Sequence, residues 1–140
     1  EDFVVDLNAV KQLLLSENFT CVLSDGKEII NSRERGVKPL IDFILSEKDF
    51  CGFVAADKIV GKAAALLYAN LKISALYAQV TTYEAVEICK KYNIKIVYDI
   101  LTNKIINRKG DDICPMEKLV ADVDIPEIAK QLIIQKLKTL

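Results

Sequence analysis

Histidine is missing from the 140 residues of this chain. Its absence removes the usual general base near neutral pH, every histidine-based catalytic triad and every imidazole metal ligand. No C-x-x-C pair occurs either, because Cys21, Cys51, Cys89 and Cys114 stand far apart. Four such cysteines in an apolar chain read as reduced thiols of a cytoplasmic protein, and no structural zinc site is expected. No acidic cluster marks a carboxylate-held magnesium, so neither a metal nor a cofactor is assigned. Long apolar runs are lacking too, which excludes a membrane span, and the acidic opening EDFVVDLNAV argues against a secretory or transit leader. Formal charge is −1, with lysines and glutamates scattered along the chain. A nucleic-acid backbone binder would carry a basic stripe, so that partner is not expected. Arginine is scarce: Arg33, Arg35 and Arg108 all fall in expected loops, where chance placement accounts for them.

What remains is 51% hydrophobic, enough for one domain over residues 1–140 with a core that needs no staples. DLNAVKQLLLSE puts Leu7, Val10, Leu13 and Leu14 on one helical face, with Asp6 as N-cap. In FTCVLSDGKEII, Asp25-Gly26 between apolar runs signals a hairpin. GVKPLIDFILSEK reads as a helix with Pro39 in its first turn, where a missing N–H costs nothing. CGFVAA and ISALYAQV are continuous apolar runs, as in strands covered on both faces. The alanine-rich GKAAALLYANL between them is a helix. TTYEAVEICKKYN opens on a capping box from Thr81 to Glu84 and leads into the strand IKIVYDI. Two helices close the chain. One starts at Pro115. The other has Asp124 and Glu127 in capping-box positions and an apolar stripe of Ile128, Leu132, Ile133 and Leu137, extended by Ile134 and Leu140. The order α-β-β-α-β-α-β-α-β-α-α implies a mixed sheet with parallel crossovers and helices on both faces.

The strand-to-helix stretch FVAADKIVGKAAALLY comes close to a phosphate-binding loop. In the frame G-x-x-x-x-G-K-[ST] it reads Ala56, four residues, then Gly61, Lys62 and Ala63. The first glycine and the magnesium-holding hydroxyl are both missing, so ordinary Mg-nucleotide chemistry is not expected there.

Three strings, RGVKPL (35–40), ADKIVGKAAALL (56–67) and NRKGDDICPMEK (107–118), carry a resemblance to a domain-of-unknown-function family, DUF1893, and through it to the cytidine deaminase-like fold. The resemblance implies a three-layer α/β/α domain with a hairpin-led, mixed five-stranded sheet. In zinc deaminases of that fold one helix start carries His or Cys followed by Glu, and the next a Pro-Cys-x-x-Cys pair. The matching segments here, RGVKPL and IVGKAAA, offer no such ligands, so zinc-dependent deamination is not expected. Other relatives of the fold lack zinc and still bind nucleotide-like molecules.

Whether the chain is an enzyme stays open at this point. The leading expectation is a site for a small anionic or phosphorylated ligand, a nucleotide among the candidates, where the helix starts at Lys38-Pro39 and Gly61-Lys62 converge. Free N–H groups at helix starts attract anions. Arg35, Gly36, Lys38, Asp57, Lys58, Gly61 and Lys62 would form the site, with Asp57 accepting from a hydroxyl or amine. The bland alternative is a tight turn at Gly61 with solvated lysines. A second candidate is thiol chemistry, sulfur or acyl transfer, at Cys114, with Glu117 moving a proton. Proximity to the dipole of a helix start would favour its thiolate, and Asp111 and Asp112 would oppose it. Here the bland alternative is a small buried residue with Glu117 as a cap. Cys21, Cys51 and Cys89 read as inert core residues, and the five tyrosines as packing. A third reading is a non-catalytic regulatory or scaffolding protein. The closing helix packs on the sheet or supports a homodimer.

Overall fold

The computed structural model describes residues 6–139. Half of the acidic opening, residues 1–5, and Leu140 of the closing stripe lie outside the described residues. The elements are α1 (Leu7–Ser16), β1 (Cys21–Ser24), β2 (Ile29–Ser32), α2 (Lys38–Leu45), β3 (Val54–Val60), α3 (Lys62–Leu71), β4 (Ala75–Thr82), α4 (Tyr83–Lys91), β5 (Lys95–Thr102), α5 (Pro115–Leu119) and α6 (Pro126–Lys138). This is the order that periodicity and turn chemistry imply.

The hairpin turns where Asp25-Gly26 places it. The Asp25 carboxylate accepts from the amides of Lys27 and Glu28 at 2.9 and 2.8 Å, and Gly26 adopts φ +95°, which a side chain would disfavour. β1 therefore pairs antiparallel with β2, and on its other side antiparallel with β3, while β3, β4 and β5 run parallel. The five strands lie in the order β2-β1-β3-β4-β5. This is a mixed α/β sheet.

Its two faces are covered unequally. On one face α1, capped by Asp6 through the Asn8 amide at 2.9 Å, presses Val10 and Leu14 onto Val22, Val54, Ala56 and Tyr77. The other face carries the larger core, which unites Cys21, Leu23, Ala55, Leu76 and Ala78 with residues of α2, α3, α4 and α6. At its centre is α3, buried from Lys62 through Tyr68. A helix apolar all round belongs inside, and Ala63, Ala64 and Ala65 let it approach its neighbours closely.

Five local expectations change. β3 does not stop at Ala56 but runs to Val60, so Asp57, Lys58, Ile59 and Val60 are strand and no phosphate-type loop exists. The cap of α4 is Thr82, whose hydroxyl accepts from the Ala85 amide at 3.1 Å; Thr81 instead donates to the Val60 carbonyl at 2.7 Å. Helix α6 starts one residue later than expected, on Ile125 as cap and Pro126, and has no side-chain cap. Cys51 is exposed in a turn, not a core residue. Finally, α6 buries Ala129 and Ile133, while Ile128 and Leu132 face outward with Ile125. The small Ala129, not the larger Ile128, meets α3.

Candidate functional site at the carboxyl end of the sheet

Because β2 and β3 run in the same direction, the carboxyl ends of β2, β3, β4 and β5 share one end of the sheet. That is the end where open α/β sheets bind ligands. Helices α2, α3 and α4 all begin there. The register sets Asp57 directly beside Cys21 on the neighbouring strand, and α3 lowers Tyr68 onto both. The Tyr68 hydroxyl donates to Asp57 Oδ2 at 2.7 Å. Its oxygen is 3.2 Å from Cys21 Sγ, so the thiol is left to donate to the phenol. Asp57 Oδ1 also accepts from the Ile59 amide at 3.2 Å.

Burial governs all three groups. It pushes the Asp57 carboxyl up to about 7, against the hydrogen bonds from Tyr68 and the Ile59 and Lys58 amides. It also raises the Cys21 thiol and the Tyr68 phenol well above their usual values, with the Asp57 charge adding to both. Of the three groups only the Asp57 carboxyl is brought close to neutral pH, while the thiol and the phenol keep their protons there. Cys21 and Tyr68 are buried away from any substrate.

The second constellation closes the start of α3. Glu117, on α5, accepts from the Lys62 amide through Oε1 and from the Ala63 amide through Oε2, both at 2.8 Å. These N–H groups have no partner within the helix, and the positive end of the helix dipole favours the carboxylate. Burial nevertheless raises the Glu117 carboxyl above its usual range, with the two amide bonds opposing the shift. The Lys62 side chain turns away and is buried. Its ammonium lies 2.9 Å from the Ala121 carbonyl and 3.0 Å from Asp124 Oδ1. That ion pair holds the Asp124 carboxyl below its usual range, and the Asp124 carbonyl accepts from Tyr92 Oη at 2.8 Å.

Of the residues expected to form an anion site, Gly61 and Lys62 do stand at a helix start, but an internal carboxylate already occupies it. Lys62 is not a free cation. Lys38 is exposed and pairs with Asp42 at 3.0 Å and Glu34 at 3.7 Å. Lys58 donates to Asn18 at 2.6 Å. Arg35 and Gly36 lie exposed on the approach to α2, with Gly36 at φ +70°. Asp57 is bound within the sheet. The charged side chains that have partners thus end on different ones rather than sharing one space.

Cys114 caps α5 without a side-chain bond and is half-buried; its amide donates to the Ile105 carbonyl at 2.9 Å. Beside it opens a cleft of about 610 Å³ between the 105–114 segment, closed by the Ile106–Ile113 bridge, and helices α5 and α6. Arg108, Lys109 and Lys136 line it together with Asp111, Asp112 and Met116. Asp112 is bound by Lys118, and Asp111 by the Asn107 amide group. The three cations have no ion-pair partner among the described residues. Tyr68, expected only to pack, and Asp124, expected only to cap a helix, take on partners here, while Lys109 and Lys136 had no expected role. Only Tyr68 leaves a trace in sequence, as the one hydroxyl on an Ala/Leu helix. Among the described residues no group of three or more cysteines, aspartates or glutamates stands together to hold a metal ion. No described helix is long and apolar enough to cross a membrane.

No curated protein matches the chain. Among solved structures it is similar to a DUF1893 family protein from Thermotoga maritima, with a TM-score of 0.86 and 25% identity over 97% of this chain and 95% of that one. The family model for the domain of unknown function DUF1893 matches residues 9–137. The match takes in the Asp57–Tyr68–Cys21 chain, the Glu117 closure and the basic cleft, and the chain belongs to the DUF1893 family.

Proposed function

We propose that this chain binds a small anionic ligand, with phosphorylated metabolites and nucleotides as the first class to try, in the cleft beside α5. The observation that carries this reading is the set of three cations, Arg108, Lys109 and Lys136, without ion-pair partners among the described residues, around a cleft of about 610 Å³. That volume suits a small molecule. Guanidinium and ammonium groups together match a phosphate or carboxylate, and Met116 and Pro115 offer an apolar wall. The set Arg35, Gly36, Lys38, Asp57, Lys58, Gly61 and Lys62 is the weaker site for the same ligand, because an anion there must first displace Glu117.

The fold itself we read as cytidine deaminase-like and zinc-free. The hairpin-led mixed sheet supports this, as does the Gly-Lys-Ala start of α3, with Glu117 across it, where such an enzyme would carry cysteines. A cytoplasmic setting fits four free thiols. The Glu117 closure also favours a second reading, a non-catalytic regulatory protein whose former reaction centre has become structural.

Thermal shift against a panel of nucleotides and phosphorylated metabolites tests the proposal. A ligand at a hundred times its dissociation constant adds about 2.7 kcal/mol. Hits should vanish in a variant carrying both Arg108→Ala and Lys136→Ala, and persist in Lys38→Ala. Hits that survive the first variant, or a panel without hits, overturn the assignment.

A further inference from the structure

We propose that the outer edge of β5 pairs antiparallel with β5 of a second copy of this chain, in the register centred on Val97. The strand is last in the sheet, and no strand covers its far edge among the described residues. It is eight residues long, pairs with β4 without a bulge and contains no proline. Val97, Tyr98 and Ile100 are 43%, 39% and 54% exposed. Edges of this kind invite another strand unless they are blunted by charge, bulge or cover.

The backbone is oriented for such pairing. The Lys95 amide donates inward to the Ser74 carbonyl. Groups alternate along a strand, so Ile96, Tyr98 and Ile100 direct their N–H and C=O groups outward. The side chains then select the register. Lys95 and Asp99 are the only charges on β5, and with Val97 they share one face. A two-fold axis perpendicular to the sheet keeps each face on its own side, so residues of like parity meet. Centring on Lys95 or Asp99 sets like charges opposite each other. Centring on Ile96 or Tyr98 sets a charge opposite Val97. Only the axis through Val97 places Lys95 opposite Asp99 of the second copy, and it does so twice, as an isologous contact requires.

In that register Ile96 and Tyr98 of the second copy form the hydrogen-bonded pair. Val97 meets Val97, and Lys95 meets Asp99, at the closer non-bonded positions. Lys95 has no ion-pair partner among the described residues. Asp99 accepts from the Tyr77 hydroxyl at 2.5 Å through Oδ2, leaving Oδ1 for a lysine. Two five-stranded sheets become one continuous sheet.

Sedimentation equilibrium from micromolar to millimolar protein, with hydrogen exchange at both ends of the range, tests this. A dimer should form, and the Ile96 and Tyr98 amides should gain protection as concentration rises. Lys95→Asp and Asp99→Lys should each weaken association by about tenfold, and the double exchange should restore it. A monomer at every concentration overturns the proposal. So does a dimer indifferent to both reversals, or one lost only in Ile128→Lys on the outer strip of α6. Hydrogen exchange on the unmodified chain decides the matter even if Asp99→Lys fails to fold.

Discussion

Glu117 fills the space that a side chain at Gly61 would need: a Cβ there would lie 2.3 Å from Glu117 Oε1. Gly61 has φ −92° and ψ −171°, a conformation open to any residue. The glycine is therefore needed for room, not for backbone freedom. In Gly61→Ala the flexible carboxylate can swing aside, but the Lys62 and Ala63 amides then lose their acceptor. The expected cost is about 1–3 kcal/mol, that of unsatisfied buried donors. Glu117→Ala should cost a similar amount, and the double variant clearly less than the sum, because both remove one interaction. Urea denaturation of the three variants reads this out, and additive costs would contradict it.

Asp57 should make the protein less stable as pH rises. Desolvation lifts its folded value to about 7, whereas the unfolded chain releases the proton near 3.8. Between those values the unfolded state holds fewer protons, so the contribution is complete below 3.8 and lost as pH climbs to about 7. Glu117 shifts in the same sense, and paired surface carboxylates such as Asp112 in the opposite one. The difference between the natural chain and Asp57→Asn isolates the effect. The stability gap between them should change by a few kcal/mol, on the order of the shift itself, from pH 4 to 7. Tyr68→Phe removes a bond that lowers the Asp57 value, so the window should reach higher still. A gap independent of pH would disprove the assignment.

Alkylation of the native protein should rank the cysteines by burial. Cys51 is exposed and should react first, with half-buried Cys114 behind it. Cys21 and Cys89 should stay protected, since both are buried and burial lifts the Cys89 thiol to about 12. Mass spectrometry of partially labelled protein gives the order directly. Cys114 reacting ahead of Cys51 near pH 7 would instead favour thiol chemistry at that helix start.

The order of elements was legible because its signals are local: Asp25-Gly26 in the turn, Asp6 at a helix start, and proline in the first turns of α2 and α5. The end of β3 was not. Asp57 and Lys58 read as turn residues until Tyr68, from the following helix, supplies the partner that lets a carboxyl remain in a sheet. Asp57, Lys62, Cys114 and Glu117 could all be singled out by residue type. Their partners could not, since Glu117 meets the Lys62 amide across 55 positions of sequence and the Lys62 ammonium finds Asp124 by leaving the helix axis. The expected cap at Asp124 failed for the same reason, because the ion pair with Lys62 engages that carboxylate first.

Between Val60, the last residue of β3, and Lys62, the first of α3, stands Gly61 alone. Such a junction has no slack. One inserted residue would turn the start of α3 by about 100° and shift it by about 1.5 Å, carrying the Lys62 and Ala63 amides off Glu117 and Tyr68 off Asp57 together. The connection from β5 to α5 spans residues 103–114 and is held mainly by bonds within itself, such as the Ile106–Ile113 bridge and those to Asn107. Lineages of this family should therefore keep the β3–α3 corner at fixed length and take their insertions in the β5–α5 connection, where the cleft can be resized without moving the core.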